Sequence, residues 1–560
     1  MERAKKPLAD YPRPQLARSS YICLNGEWEY CIRKDKKVPD IFDGKIMVPF
    51  SPETEASGVN KTLHPDERLY YRLRFRLDKS FIKDKVLLHF TAVDQIADVY
   101  INDAHLGLHV GGYLPFEFDI KPFLEEENVL LVKVRDLSDT SYFSRGKQKI
   151  KRGGIWYTPQ SGIYMPVWLE SVSEDYIQDL RIIPDIDKEQ IKITVISDAP
   201  GAVIKIFGKE RTIPTNQEVA YHVENMRLWS PEDPFLYSFT VRTKGDEVSS
   251  YFGMRKVSVM EHNGHKVLAL NNKPYFMKGV LDQGYYKSGL YTPEAYQDYT
   301  SDIGLVKSMG FNTIRKHIKI ECPRWYYECD RMGVLVWQDF VNGGSKYHPS
   351  VTMAPLITGR HRKDNAYRLF GRSSPEGRME AKQEFKDTIN YLFNSPCIVL
   401  WTMFNEGWGQ FDAKEIYNNI KELDETRLFD HASGWHDQGV SDVKSLHVYF
   451  KKVKMPKAKE IKDRVVVLSE FGGYVLPIKD HTGKGKVPYN SFSYPDQWLA
   501  AYEKCINRDV VSNIPKGLSA CIYTQLSDVE DECNGFVTFD RKVVKASVEK
   551  IKRINERIKF

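Results

Sequence analysis

The chain has 560 residues, which predicts about two to four domains. Hydrophobic residues make up 42% and aromatic residues 12% of the sequence, enough apolar surface for several cores. The net charge of +6 is small for this length and argues against a nucleic-acid partner, because nucleic-acid-binding proteins carry a concentrated basic face. We interpret the densest basic run, SRGKQKIKRGG from Ser144 to Gly154, as a solvated loop.

The cysteines and the amino terminus bear on the cellular compartment. The eight cysteines lie far apart and form no CxxC pair, so no zinc site is predicted. The first residues, MERAKKPLADYPRPQLARSS, lack the apolar core of a signal peptide. No apolar run approaches the roughly 18–20 residues of a membrane span. These observations predict a cytoplasmic protein with reduced thiols and no membrane partner.

Residues 1–172 have the pattern of an all-β domain. Segments such as RLYYRLRFRL (68–77), KVLLHFTAV (85–93) and NVLLVKVRD (128–136) are short apolar or alternating runs, which predict strands. The segment IADVYINDAHLG predicts two strands joined by a tight turn at Asn102 and Asp103. Many short strands without a helical period indicate a sandwich or a jelly roll.

A second set of strands follows over residues 173–258. It includes IQDLRIIPDI, QIKITVIS, AVIKIFG and LYSFTVRT, separated by turn residues. A segment of this length with this spacing fits one immunoglobulin-like sandwich.

The period changes over residues 259–560. Helical segments such as PEAYQDYTSDIGLVKSMG (293–310) alternate with strand-like segments such as VLVWQDF (334–340) and CIVLWTMFNE (397–406). This alternation over about 300 residues predicts a parallel sheet and suits an eight-stranded (β/α)8 barrel. A doubly wound sheet is the competing interpretation, although no Gly-rich phosphate-binding turn supports it.

Three carboxylates follow strong apolar runs. Glu406 follows IVLWTMFN, Glu470 follows VVVLS, and Asp339 follows VLVWQ. Such positions are the carboxyl ends of barrel strands, where catalytic groups of these barrels lie. A pair of carboxylates that flank one bond can hydrolyse a glycoside. In the alternative interpretation, either glutamate caps a helix or pairs with a lysine.

Several longer motifs resemble glycoside hydrolase family 2. They are LWSPEDPFLY (228–237), NNKPYFMKGV (271–280), the segment from Met309 to Asp339, WTMFNEGWGQ (401–410) and LSEFGG (468–473). The resemblance spans nearly the whole chain and is to the three-domain form of the family. It implies a jelly-roll sugar-binding domain over 1–172, an immunoglobulin-like β-sandwich over 173–258 and a catalytic (β/α)8 barrel over 259–560.

The resemblance also implies roles for individual residues. Glu406, after the fourth barrel strand, corresponds to the general acid/base, and Glu470, in the seventh, to the nucleophile of a retaining β-glycosidase. Asn405 corresponds to the residue that hydrogen-bonds the sugar 2-hydroxyl, and Tyr449 to the tyrosine that hydrogen-bonds the nucleophile. Further candidate substrate contacts are Arg315, His317, Asp282, Trp435, His436 and Tyr523. Sugar contacts from the jelly-roll domain are expected at residues 136–144 and at Trp156.

Two family features have no match. The metal ligands of large β-galactosidases are not found, so neither a metal nor a cofactor is predicted. The Asn-x-Lys signature of β-glucuronidases does not follow Glu470; the lysines of that loop are at the wrong spacing. The insertion over 352–378 is long and basic, and is expected to form a pocket wall or an oligomer contact.

The leading hypothesis is an exo-acting, β-galactosidase-like enzyme that acts on an oligosaccharide or glycoside. The alternatives of the same family are a β-glucuronidase, a β-mannosidase, or a furanosidase or arabinosidase. Two other classes stay open: a non-catalytic carbohydrate-binding protein, and a barrel enzyme that uses metal-assisted hydrolysis. The sequence also leaves open a homo-oligomer.

Overall fold

The computed structural model describes residues 6–359, 361–481, 483 and 489–560. Its amino-terminal part is a β-sandwich. One sheet has the strand order β3-β2-β4-β10-β7-β8 and the other the order β1-β12-β5-β9. The strands are β1 (Tyr21–Cys23), β2 (Gly26–Arg33), β3 (Gly44–Val48), β4 (Arg68–Phe75), β5 (Lys85–Phe90), β6 (Val93–Asp94), β7 (Ile96–Ile101), β8 (Ala104–Val110), β9 (Phe116–Asp119), β10 (Asn128–Arg135), β11 (Gly162–Ile163) and β12 (Val167–Val172).

Alternating side chains of this sandwich form its core. In β10, every second residue from Asn128 to Val134 is buried, as expected for a strand with one face against the other sheet. Trp28 and Phe90 belong to this core. The predicted turn between β7 and β8 is confirmed, because Asn102 and Asp103 have φ values of 48° and 65°, the left-handed values that a two-residue hairpin turn of this type requires.

A second, smaller sandwich follows. Its two sheets have the strand orders β13-β14-β17 and β16-β15-β18-β19, and Ile193, Ile204 and Phe239 pack between them. The strands are β13 (Ile177–Asp185), β14 (Gln190–Ser197), β15 (Gly201–Ile206), β16 (Lys209–Pro214), β17 (Val219–His222), β18 (Tyr237–Arg242) and β19 (Glu247–Phe252).

A short antiparallel sheet of β20, β21 and β22 leads into an eight-stranded parallel sheet with the order β27-β26-β25-β24-β23-β30-β29-β28. The strands are β20 (Val257–His262), β21 (His265–Leu270), β22 (Lys273–Pro274), β23 (Met277–Asp282), β24 (Thr313–Lys316), β25 (Leu335–Asp339), β26 (Ile398–Thr402), β27 (Leu428–Asp430), β28 (Val443–Val448), β29 (Val465–Gly472) and β30 (Leu518–Thr524).

Helices alternate with these strands. They are α1 (Tyr296–Ser308), α2 (Pro323–Met332), α3 (Pro349–Thr352), α4 (Ala354–Thr358), α5 (Pro375–Leu392), α6 (Ala413–Ile420), α7 (Ala458–Ile461), α8 (Pro495–Cys505) and α9 (Val548–Asn555). The strand order is that of a nearly closed (β/α)8 barrel and not of a doubly wound sheet. Every residue of β26 is buried, which explains its continuous apolar sequence IVLWT.

The fold class predicted from the sequence is confirmed: a jelly-roll-like sandwich, an immunoglobulin-like sandwich and a barrel. The exact domain boundaries at 172 and 258 stay predictions. All eight cysteines are buried and free. Among the described residues, no helix combines the length and apolar character needed to cross a membrane.

The second sandwich is anchored to the barrel near the amino-terminal end of β26. Trp229 is fully buried, and its Nε1 donates a hydrogen bond of 2.8 Å to the backbone oxygen of Asp330, beside the end of α2. The Asp330 carboxylate accepts hydrogen bonds from the Tyr251 hydroxyl at 2.8 Å and from the Cys397 backbone nitrogen at 2.7 Å. This contact leaves the carboxyl ends of the strands free for a site.

We expect Trp229→Ala to lower the free energy of unfolding by about 3–5 kcal/mol, because it opens a cavity and removes the hydrogen bond to Asp330. The measurement is the first unfolding transition in urea. Ile41→Ala is the control: its side chain is 81% exposed, so its effect should stay within about 0.5 kcal/mol. Equal effects of the two substitutions would contradict the anchoring role of Trp229.

Candidate active site

Two glutamates meet at the carboxyl end of the barrel. Glu470 lies within β29, and Glu406 follows β26 by four residues in a turn where its φ is 50°, in the left-handed region. The Glu406 backbone nitrogen donates to the Ser433 oxygen at 3.1 Å, which ties this turn to the segment after β27. Parallel strands end on the same side of a sheet, so two residues distant in sequence share one site.

A histidine lies between the two carboxylates. One ligand atom each of Glu406, His447 and Glu470 lies within 4.8 Å of the other two. His447 Nε2 is 2.8 Å from Glu470 Oε2 and 3.5 Å from Glu406 Oε1. Carboxyl groups about 5–5.5 Å apart are typical of retaining glycosidases, whereas inverting enzymes have a wider gap. The observed separation therefore supports a retaining geometry.

Glu470 is held as a carboxylate. Its side chain is 5% exposed, and it accepts hydrogen bonds from Arg315 at 3.0 Å and from the Tyr449 hydroxyl at 2.5 Å. Burial by itself raises its pKa, but the adjacent His447 and Arg315 lower that pKa well below the ordinary value. A group of this kind stays ionised at neutral pH and is suited to nucleophilic attack.

Glu406 has the opposite electrostatics. Burial and the negative Glu470 raise its pKa to about 7, against opposing contributions from His447, Lys147 and Arg315. A carboxyl group with this pKa can donate a proton near neutral pH and later accept one. The two carboxylates thus have divergent pKa values, the arrangement that assigns acid and base roles in carboxylate pairs.

Arg315 connects the site residues. Its guanidinium is fully buried and forms two hydrogen bonds with Asp339, at 2.9 and 3.0 Å, and one with Asn405 Oδ1 at 2.9 Å. Asn405 Nδ2 has no hydrogen-bond partner among the described residues and is available as a donor. His317 Nδ1 lies 2.9 Å from Asp339, and burial lowers the His317 pKa to about 4.

The two glutamates line a cavity of about 460 Å³. A larger cleft of about 970 Å³ lies between the second sandwich and α2, but it contains neither glutamate, so we assign the site to the smaller one. The residues that line the smaller cavity are Asp139, Arg145, Lys147, Lys149, Ile155, Trp156, Lys346, Tyr347, Thr352, Met353, Leu356, Glu406, Trp408, Trp435, Tyr449, Phe450, Glu470, Tyr489, Thr524 and Glu532.

The cavity includes two segments expected from the sequence. Trp156 of the first sandwich lies in its wall, and so does Asp139 of the stretch 136–144. The insertion 352–378 contributes Thr352, Met353 and Leu356, so one end of it forms part of a wall. Lys484 and Lys486, in the loop after Glu470, lie outside the described residues.

The structure brings Arg315, His317, Asn405, Tyr449 and Trp435 to the carboxylate pair or its cavity. The other three candidates contact protein groups and do not line the cavity, so their contact with substrate stays a prediction. Asp282 forms an ion pair of 2.5 Å with Lys316, and His436 Nε2 lies 2.7 Å from the Val351 backbone oxygen. Tyr523 packs in the barrel core against Phe471 and Trp498. A polar side chain at a strand end can stabilise the barrel as readily as it can face the cavity.

Sequence reasoning missed His447 and the basic run. His447 lies two residues before Tyr449, near the end of β28, and this spacing places both on one face of an extended chain, which was a usable signal. The interpretation of Ser144 to Gly154 as a solvated loop is wrong for residues 144–148, which are buried, and holds for residues 151–153, which are exposed. Arg145 and Lys147 are only 5% and 8% exposed and line the cavity. The cause is the neighbouring barrel, whose loops cover this segment and cannot be seen from local composition.

Among the described residues, Glu406, His447 and Glu470 form a cluster whose spacing could also hold a metal ion. The Arg315 guanidinium, 3.0 Å from Glu470, already supplies positive charge there, which disfavours a bound cation. The absence of a metal stays a prediction.

Family models match three consecutive segments of the chain. They are the sugar-binding domain of glycosyl hydrolases family 2 over residues 52–171, the family 2 domain over 187–255 and the family 2 TIM barrel domain over 262–515. The chain is 24% identical to a β-galactosidase from Thermoanaerobacter pseudethanolicus, over 74% of this chain and 55% of that protein. It is 27% identical to a β-glucuronidase from Formosa agariphila, over 64% of this chain and 38% of that protein. The chain thus spans about half or less of these relatives.

Solved structures share the fold over nearly the full length. A β-galacturonidase from Eisenbergiella tayi superposes with a TM-score of 0.73 at 17% identity and covers 98% of this chain and 99% of that chain. A β-glucuronidase from Ruminococcus gnavus gives a TM-score of 0.77 at 18% identity, over 98% of this chain and 100% of that chain. At these identities the similarity supports the three-part architecture.

We expect Glu406→Gln to stabilise the protein at pH 8 and not at pH 5. A carboxyl group with a raised pKa in the folded state stabilises that state only while protonated. This contribution is complete below about pH 4.5, the ordinary glutamate value, and is lost as pH rises through about 7. The neutral amide avoids the loss, so the gain at pH 8 should be on the order of 2 kcal/mol. Thermal unfolding at the two pH values measures it.

The control is Glu422→Gln, because Glu422 is exposed and lies away from the cavity. It should change the midpoint little at either pH. An equal gain for Glu406→Gln at pH 5 and pH 8 would contradict the prediction, since packing and not ionisation would then be its cause.

Proposed function

The chain belongs to glycosyl hydrolase family 2, and we propose that it is a retaining exo-β-glycosidase. The observation that carries the proposal is the carboxylate pair: Glu406 and Glu470 offer oxygens within 4.8 Å of each other, with pKa values shifted in opposite directions. This combination fits a double displacement, which needs one ionised and one protonated carboxyl group on the two sides of one bond.

In the proposed first step, the Glu470 carboxylate attacks the anomeric carbon and forms a covalent glycosyl ester. Glu406 gives its proton to the glycosidic oxygen as the bond to the leaving group breaks. Arg315 and Tyr449 orient Glu470 through hydrogen bonds of 3.0 and 2.5 Å, and both weaken its basicity. Asn405 Nδ2, which has no protein partner, is positioned to donate to the sugar 2-hydroxyl.

In the second step, Glu406 is ionised and removes a proton from a water molecule, which attacks the anomeric carbon and releases Glu470. Two inversions at one carbon give net retention. A pKa of about 7 suits a group that must act as an acid and then as a base at neutral pH. His447 Nε2 lies 2.8 Å from Glu470 and 3.5 Å from Glu406, so its ring is placed between the two reacting carboxyl groups.

For the sugar, we take a β-galactoside as the first candidate. Matched relatives include both β-galactosidases and β-glucuronidases, and the Asn-x-Lys signature of the latter is not found after Glu470. A β-glucuronide is the second candidate, since several basic side chains line the cavity. Retention and sugar identity are separate claims and need separate experiments.

A 2-fluoro galactosyl fluoride should inactivate the enzyme and label Glu470. The fluorine slows both steps, and the activated leaving group restores the first, so the covalent ester accumulates. Peptide mass mapping should locate the adduct within VVVLSEFGG, and the corresponding glucuronyl reagent should react more slowly. An adduct on Glu406 would reverse the proposed roles, and faster labelling by the glucuronyl reagent would replace the galactoside by a uronide.

Azide should distinguish the two glutamates. Glu406→Ala retains the nucleophile, so an activated aryl glycoside should still form the ester, whereas poor leaving groups should lose about 10²- to 10⁴-fold in rate. Azide needs no deprotonation and should release the ester as a β-glycosyl azide. Glu470→Ala should instead yield the α-azide, because azide then attacks directly from the opposite face. NMR of the isolated azides reads the configuration, and an α-azide from Glu406→Ala is incompatible with the proposal.

A further inference from the structure

Two buried cations in the cavity wall have no carboxylate in direct contact among the described residues, although Asp139 and Glu532 line the same cavity. Arg145 and Lys147 are 5% and 8% exposed, and neither has a carboxylate within 4.0 Å among the described residues. Arg145 donates one hydrogen bond, from its Nη1 to the Gln148 backbone oxygen at 3.1 Å, and its Nε has no partner. The Lys147 Nζ lies 5.3 Å from the centre of the Trp408 ring and 5.9 Å from that of Tyr157.

Other buried cations among the described residues have several polar partners, either carboxylates or backbone oxygens. Lys316 contacts Asp282 and Glu321 at 2.5 and 2.8 Å, and Lys545 contacts Asp528 at 2.6 Å. Arg255, which has no carboxylate partner, donates to three backbone carbonyls. Burying a charge without such partners is unfavourable, so a pair left without them at a cavity wall indicates a ligand that supplies the negative charge.

Aromatic rings are interleaved with these cations. The Trp156 and Trp408 ring centres are 5.3 Å apart, and Arg145 lies 5.9 Å from the Trp156 ring. Lys149 Nζ is 3.9 Å from the Trp156 ring, and exposed Lys346 lies farther out in the same wall. Flat apolar faces beside positive charges suit a ring that carries an anionic substituent.

The wall lies on the acid/base side of the site. Trp408 lies two residues after Glu406 in the same turn, and its backbone nitrogen donates to the Asn405 oxygen at 2.8 Å. The wall packs against this Trp408 ring, through Trp156 and through the Lys147 ammonium.

Along the wall, exposure rises from Arg145 and Lys147, which are buried, through Lys149 and Trp156, which are half-buried, to Lys346, which is exposed. In an exo-acting pocket, the terminal sugar occupies the closed end of the cavity. The leaving group is attached to the oxygen that Glu406 protonates. It therefore extends along the wall from the buried end to the solvent-exposed opening of the cavity.

We propose that this cation–aromatic wall, formed by Arg145, Lys147, Lys149, Trp156 and Trp408, binds an anionic leaving group. The inference rests on the proposed glycosidase function and extends it to the substrate class: a β-glycoside whose leaving group is a ring with a carboxylate or a sulfate. The fork of Arg145 matches the planar carboxylate or the sulfate oxygens, and Lys147 adds a point charge. Both cations belong to the first sandwich, so that domain supplies part of the cavity wall.

The test compares two aryl galactosides with leaving groups of matched acidity: 4-nitrophenyl β-galactoside and its 3-carboxy-4-nitrophenyl counterpart. We expect Lys147→Gln and Arg145→Gln each to lower kcat/KM on the carboxylated substrate by about 10- to 100-fold, mainly through KM. The neutral substrate is the reference: Lys147 also acts on the pKa of Glu406, so the expected result is a fall of about 10- to 100-fold in the ratio of kcat/KM for the carboxylated to the neutral substrate, at one pH. Lys151→Gln is the matched control, since Lys151 lies exposed in the same loop. The preference should weaken in 1 M salt.

A third substrate, 4-nitrophenyl β-glucuronide, distinguishes an anion on the sugar. Lys147→Gln could selectively lower kcat/KM on this glucuronide and leave the carboxylated galactoside unaffected. The wall would then bind the carboxylate of the sugar, and the leaving-group assignment would be overturned. Equal losses on neutral and anionic substrates also overturn it, because Lys147 would then have a general role. Sulfated leaving groups, tested in the same way, identify which anion is preferred.

A direct binding measurement separates this inference from the proposed function. Titration with 5-hydroxy-2-nitrobenzoate, the free leaving group, should show weaker binding to Lys147→Gln than to the unsubstituted enzyme. If none of these glycosides is hydrolysed but this difference is observed, the catalytic proposal fails and the anion site stands. If hydrolysis occurs and the difference is not observed, the anion site fails and the glycosidase stands.

Discussion

The guanidinium of Arg315 is the constraint on which the site depends. Arg315 belongs to β24, and it reaches Asp339 at the end of β25, Asn405 after β26 and Glu470 in β29. One fully buried charge thereby fixes groups from four strands of the barrel. Without it, two buried carboxylates would lose their partner, at a cost of about 3–5 kcal/mol. The same contacts that hold the barrel interior together also keep Glu470 ionised.

From this constraint the two carboxylates acquire different chemistry. Glu470 receives Arg315, Tyr449 and His447, so its pKa falls despite burial. Glu406 lies in the turn beyond its strand, without a comparable set of donors, and burial raises its pKa to about 7. Both groups are glutamates at strand ends, so the difference lies in their partners and not in residue type. The pair thus combines one carboxyl group suited to proton donation with one suited to nucleophilic attack, as the proposed mechanism requires.

What the sequence could predict followed from local patterns. The continuous apolar runs before Glu406 and Glu470 predicted buried parallel strands, and strand ends predicted a shared site. Asp282 carries the same local signal, yet it pairs with Lys316, because only the three-dimensional neighbours decide which strand-end groups face the cavity. Lys147 illustrates the opposite case. Its loop looks solvated in sequence, and its burial comes from barrel loops distant in the chain.

The division of roles between domains has a physical basis. The barrel interior fixes charged groups by ion pairs such as that of Arg315 and Asp339, whose geometry tolerates little change. The first sandwich reaches the same cavity through a loop, where Thr158 donates to Glu530 at 2.9 Å and Ser144 to Glu380 at 3.1 Å. Loops tolerate substitution better than packed strands. The barrel therefore fixes the geometry of the carboxylate pair, while the loop of the first sandwich can vary the wall of the cavity and, through Lys147, the pKa of Glu406.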